Sequence, residues 1–101
     1  MEIHALIADD DPNTRYLLEL FCRDQHNLHL EFVPNGEAAL GRVGEGDIDL
    51  VVTDIRMPVM SGDELLTAIR QHYPQMPVVI MTSYGSIEDA VDFLHRGAED
   101  Y

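Results

Sequence analysis

Hydrophobic positions fall into short blocks, and their spacing alternates between two periods along the chain. HALIA (4–8) is a compact apolar run that predicts a buried strand. NTRYLLELFCRDQ follows, with Leu17, Leu20, Phe21 and Asp24 at helical spacing. Pro12 would sit in the first turn of that helix, where its missing N–H is harmless. LHLEFV (28–33) alternates Leu28, Leu30 and Phe32, then adds Val33, and predicts a second strand. Asn35 is a candidate cap for a helix carrying Ala38, Ala39, Leu40 and Val43, stopped by Gly44 and Gly46. DLVVT (49–53) predicts a third strand, apolar on both sides of the pleat. Ser61 or Gly62 opens a helix with Leu65, Leu66 and Ile69 inward, ending before Pro74. PVVIMT (77–82) predicts a fourth strand, again apolar on both faces. Ser86, with Asp89 three residues on, resembles a capping box. It opens a helix bearing Ile87, Ala90, Val91 and Leu94, with Gly97 as a stop.

Strands buried on both faces and separated by helices predict an α/β fold, a doubly wound parallel sheet with helices on both sides. In such open sheets the ligand site lies outside the carboxyl ends of the strands, at the topological switch point. The chain's 101 residues suffice for one small domain. A net charge of -13, with only 6 Lys and Arg, argues against direct nucleic-acid binding and suits a cation or a basic partner surface. No apolar run approaches the roughly 20 residues of a membrane span. The start of the chain, with acidic Glu2, lacks the basic and apolar regions of a signal peptide. Cys22 is the one cysteine, so no internal disulfide forms. The expected compartment is a reducing cytoplasm, and Cys22 is expected to pack as a small hydrophobe.

The candidate chemistry sits at the strand ends. Asp9, Asp10 and Asp11 follow the first strand, and Asp54 follows the third. The fourth ends in Thr82 and Ser83. With strands one, three and four adjacent, Asp9, Asp10 and Asp54 converge on one pocket with a hydroxyl opposite. Three carboxylates so close repel one another, so either a proton is held at a raised pKa or a cation neutralises them. Mg²⁺ suits such oxygen ligands and leaves coordination positions for a phosphate. A carboxylate beside the ion can then act as a nucleophile and form an acyl phosphate. A strand-end Asp is more often a simple turn former, and Asp11 beside Pro12 is expected to do no more than cap the first helix.

LIADDDPNTR, DLVVTDIRMPVMSGDELL, PVVIMTSYGSIEDAV and GAEDY occur in order and cover essentially the whole chain. Together they resemble the receiver domain of bacterial two-component response regulators, and look most like receivers of ATPase-type transcription activators. The resemblance implies a flavodoxin-like fold with strand order 2-1-3-4-5. It implies Asp54 as phosphoacceptor, with Mg²⁺ (or Mn²⁺) held by Asp10 directly, by Asp9 largely through water, by Asp54, and by the backbone carbonyl of Arg56. Thr82 would hydrogen-bond the phosphoryl group, and Tyr101 would be the aromatic switch. Arg56 and Tyr84 stand at the positions that tune phosphoryl lifetime. The implied donor is the phosphohistidine of a sensor kinase. The implied output is a transcription domain or a partner protein, reached through the surface of the fourth helix, fifth strand and fifth helix. The implied domain is residues 1–101, a receiver and not an enzyme acting on external substrates.

The sequence departs from the family in one respect: it stops before the usual Lys and most of the fifth strand–helix unit. If the chain truly ends there, apolar surface on the side of the first helix is expected to be exposed, favouring a homodimer or a swapped assembly. Two rivals belong to other classes. A Mg²⁺-dependent phosphatase would need a second acid where Arg56 stands. A scaffold independent of phosphorylation would leave the acidic pocket unused. Five histidines (His4, His26, His29, His72, His95) are scattered. His26 and His29 lack a third metal ligand, and His72 and His95 sit near helix ends where they complement the dipole. Met57 and Met60 are expected to pack. Glu88, Asp89 and Asp92 form an acidic helix face.

Overall fold

The computed structural model describes residues 2–81. Its elements alternate as the periodicities predict: β1 (Ile3–Ala8), α1 (Pro12–Cys22), β2 (Leu28–Val33), α2 (Gly36–Gly44), β3 (Leu50–Thr53), α3 (Gly62–His72) and β4 (Val78–Ile80). The helix expected over residues 86–97 lies outside the described residues, as do Thr82, Tyr84 and Tyr101. The four strands form one sheet in the order β2-β1-β3-β4, all parallel. β1 therefore lies inside, between the strands that follow the first and second helices. The sheet order reverses at β1, and this places the ends of β1 and β3 side by side.

The register fixes which side chains share a face. Leu6 pairs with Val51, and Ala8 with Thr53, while Ile7 pairs with Phe32 and Val52. Leu6, Ala8, Val51, Val78 and Ile80 pack with Ala39 and Val43 of α2 and with Leu65, Leu66 and Ile69 of α3. Each fully buried Leu or Ile here contributes about 1.5–3 kcal/mol relative to exposure. The opposite face, with Ile7 and Phe32, carries α1, whose Arg15 guanidinium lies 5.0 Å above the Phe32 ring. Helices thus flank both faces. Yet α1 buries none of its residues. Leu17 is 49% exposed, Leu20 41% and Phe21 78%.

The helix starts are well specified. The Asp11 side chain accepts from the Asn13 N–H and caps α1, with Pro12 behind it. Asn35 caps α2 by accepting from the Ala38 N–H. Ser61 caps α3 in a reciprocal box with Glu64. One boundary differs from the expected pattern: α1 ends at Cys22, so Asp24 falls outside it. The Cys22 carbonyl is taken by the Gln25 N–H, a turn bond that redirects the chain into β2. Cys22 itself is half-buried and free. His72 lies in the last turn of α3, as expected for a dipole-complementing position. No helix among the described residues is long and apolar enough to cross a membrane.

Candidate functional site

Asp9 and Asp54 stand one residue beyond the paired ends of β1 and β3, where Ala8 faces Thr53. The Asp54 N–H donates to the Ala8 carbonyl at 2.9 Å, and the Asp9 N–H donates to the Val33 carbonyl at 3.1 Å. Two central strands therefore deliver the two carboxylates, and Asp10 joins them from the loop into α1. One oxygen from each of Asp9, Asp10 and Asp54 lies within 4.8 Å of the others. Among the described residues this is the group of carboxylates and imidazoles able to hold a metal ion. Asp9 and Asp54 are half-buried and Asp10 is exposed, so the group opens to solvent on one side. A cleft of about 230 Å³ runs beside it, lined in part by Asp9, Asp10, Arg15 and Phe32.

Burial pushes the Asp9 carboxyl above its usual range, and the charges of Asp54 and Asp10 push the same way. The Asp11 N–H and the Thr14 hydroxyl bond to it and oppose the rise without cancelling it. The repulsion expected from the sequence is thus present in the structure, and it fits a cation. An all-oxygen donor set with one exposed member is the chemistry of a hard divalent ion that retains several waters.

The loop after Asp54 is shaped by backbone contacts that no spacing rule announces. Asp54 Oδ1 accepts from the Ile55 N–H at 2.7 Å, which orients the carboxylate. Thr53, fully buried, donates its hydroxyl to the Asp54 carbonyl at 2.8 Å. The Gly62 N–H returns to the Ile55 carbonyl at 2.8 Å. A Cβ on Gly62 would collide with the Asp54 carbonyl, so the loop closes only on glycine. Val59 adopts a left-handed backbone, φ 68°, in the middle of this loop and is exposed. That conformation is strained for a β-branched residue. Pro58 accepts from the Met60 N–H at 2.7 Å. Met57 and Met60 pack against the core as expected. Arg56 lies in this loop with its side chain exposed.

Two of the histidines lie side by side on neighbouring strands. His29 faces His4 across the β1–β2 ladder, ring centroids 5.7 Å apart. Next to them Arg42 of α2 bonds Glu31 at 2.7 Å.

Comparisons with known proteins agree with this geometry. The response regulator receiver domain model matches residues 5–101. The transcriptional regulatory protein ZraR of Klebsiella oxytoca is 39% identical over 99% of this chain, which spans 22% of that protein. The response regulator protein PilR of Pseudomonas aeruginosa is 38% identical over 96% of the chain, again 22% of the relative. The chain thus spans under a quarter of the length of these curated relatives. Among solved structures, the chemotaxis response regulator CheY4 of Vibrio cholerae superposes with a TM-score of 0.87 at 25% identity, covering 99% of this chain and 84% of that one. The receiver domain of Ssk1, in a co-crystal with the histidine phosphotransfer protein Ypd1 of Saccharomyces cerevisiae, gives 0.86 at 28%, covering 99% and 77%. The chain belongs to the response regulator receiver domain family, the phosphorylation-dependent switches of two-component signalling.

Proposed function

We propose that Asp54 is the phosphoacceptor of this receiver, and that residues 1–101 act as one receiver unit. The observation that carries this reading is the convergence of Asp9, Asp10 and Asp54 within the span of a single ion. Asp10 and Asp54 would hold Mg²⁺ directly, Asp9 largely through water, and the Arg56 carbonyl would complete the protein ligands. Mg²⁺ (or Mn²⁺), when bound, neutralises the carboxylates and draws charge from the phosphoryl oxygens.

The rest falls to the chain's own residues. Asp54, held by the Ile55 N–H, presents a carboxylate oxygen to the phosphorus of a phosphohistidine on a sensor kinase. The P–N bond breaks, an O–P bond forms at Asp54, and the leaving imidazole retains the electron pair and takes a proton. Thr82 is assigned the hydrogen bond to the transferred group, and Tyr101 the accompanying turn inward. Both lie outside the described residues. The partner reading is supported by the histidine phosphotransfer protein seated on the Ssk1 receiver. Transcriptional output is supported by the names of the relatives. A homodimer remains part of this proposal, as does the cytoplasm as compartment.

Arg56 and Tyr84 are assigned the tuning of phosphoryl lifetime by obstructing an attacking water. Both Arg56→Ala and Tyr84→Ala are expected to lose phosphate faster than wild type, measured by the decay of the phosphorylated species. Slower decay in both would refute that assignment. The receiver reading itself is tested by incubating the chain with an acyl phosphate and Mg²⁺ and weighing the intact protein. One added phosphoryl group, absent in Asp54→Asn, is expected. Catalytic release of phosphate from unrelated phosphate esters would favour a phosphatase instead, and Arg56 offers no general acid for one.

A further inference from the structure

The loop between Asp54 and α3 leans on the first residue of α2. The Gly36 N–H donates to the Met60 carbonyl at 2.9 Å. A Cβ at position 36 would lie 2.7 Å from that carbonyl oxygen and 2.8 Å from the Met60 Cγ. Real Cβ atoms do not approach backbone oxygen so closely, so the loop can sit where it does only because residue 36 has no side chain. Gly36 is buried, and the Asn35 cap fixes the helix turn that presents its N–H. Gly41, on the same helix, has open space where a Cβ would go.

Two glycines therefore clamp the same loop. Gly62 packs against the Asp54 carbonyl at the start of the loop, and Gly36 holds Met60 near its end. Between these points lie Arg56, whose carbonyl is the assigned third protein ligand, and Val59 in its strained conformation. The Met60–Gly36 contact ties that segment to α2, an element that supplies no ligand. We propose that Gly36 is a positioning residue for the metal site: by seating the Met60 carbonyl on α2, it holds the loop in the geometry that binds the ion and admits the phosphoryl group. The inference rests on the Mg²⁺ reading above. It also implies the converse, that filling the site tightens the Met60–Gly36 hydrogen bond and so passes occupancy to the start of α2.

The test is a Mg²⁺ titration of the full chain, followed by amide NMR, for wild type, Gly36→Ala, Gly41→Ala and the core variant Leu66→Ala. Gly36→Ala is expected to raise the Mg²⁺ Kd about tenfold or more, as loss of an outer support of a metal site does. Gly41→Ala should leave the Kd unchanged. Leu66→Ala, which lowers stability from within the core that Met57 and Met60 pack against, sets the Kd change that destabilisation alone produces; a Gly36→Ala change no larger than that overturns the positioning role. A Gly36→Ala protein that binds Mg²⁺ as wild type does overturns the inference and leaves the metal site standing. Absence of Mg²⁺ binding in wild type overturns the metal site and the inference together. If Gly36→Ala fails to fold, hydrogen exchange of the wild-type Gly36 amide decides. Slower exchange on adding Mg²⁺ supports the coupling, and exchange indifferent to the ion overturns it.

Discussion

The two faces of the sheet are covered to very different depths. On one, Leu6, Val51 and Val78 of the strands meet Leu65, Leu66 and Ile69 of α3 with no exposure at all. On the other, α1 crosses the sheet with its apolar side chains largely in solvent, and Phe21 is 78% exposed. Both helices carry an apolar stripe of similar period, so amphipathicity alone does not say how much a helix buries. Depth depends on what lies beyond the stripe. α3 is packed against α2 as well as the sheet, whereas Arg15 of α1 rests on Phe32 at the β2 edge. The site draws on both faces unequally. Its carboxylates come from strand ends and the α1 loop, while among the described residues the loop after Asp54 leans on Gly36 of α2, on Gly62 of α3 and on Thr53 of β3.

Substitutions should reproduce this asymmetry. The largest effect is expected at Leu66→Ala, a loss of about 3 kcal/mol in urea unfolding, because the cavity is enclosed. Gly62→Ala should cost about 2 kcal/mol, since its Cβ meets backbone and not a flexible side chain. Phe21→Ala on α1 should change stability by no more than about 0.5 kcal/mol. A Phe21→Ala loss equal to that of Leu66→Ala would show that the α1 face is covered in solution.

A smaller effect concerns acid. Burial, with the neighbouring carboxylates, pushes the Asp9 carboxyl above the usual carboxylate range, so the folded chain holds that proton more tightly than the unfolded chain. Its contribution to stability is full below the unfolded value and is lost as pH rises through the folded one. In metal-free protein, Asp9→Asn should therefore melt slightly higher than wild type at neutral pH. The gap should close as the pH falls toward about 4. A gap independent of pH would remove the repulsion from the account.

Much of this was legible in the sequence. LVVT and ALIA are apolar on both sides of the pleat, short, and bounded by turn residues, as strands covered on both faces are. The carboxylates were legible because strand ends in a parallel sheet point to one edge, which puts Asp9, Asp10 and Asp54 together. The roles of Gly36 and Gly62 were not legible. Each is required by a backbone atom of a distant segment, and a glycine at a helix start looks the same whether or not a carbonyl crowds it. The neighbour of His29 was hidden for the same reason: cross-strand register brings His4 beside it, which spacing along the chain does not show. The shallow packing of α1 was not legible, since periodicity shows a stripe and not its cover.

Asp54, with Asp9 and Asp10, is proposed as a metal-dependent phosphoryl site. The most direct measurement is binding of beryllofluoride, a mimic of the phosphoryl group, followed by NMR with and without Mg²⁺ in wild type and Asp54→Asn. Saturable binding that requires Mg²⁺ and disappears in Asp54→Asn is the predicted result. Binding that persists in Asp54→Asn, or that ignores Mg²⁺, would contradict it.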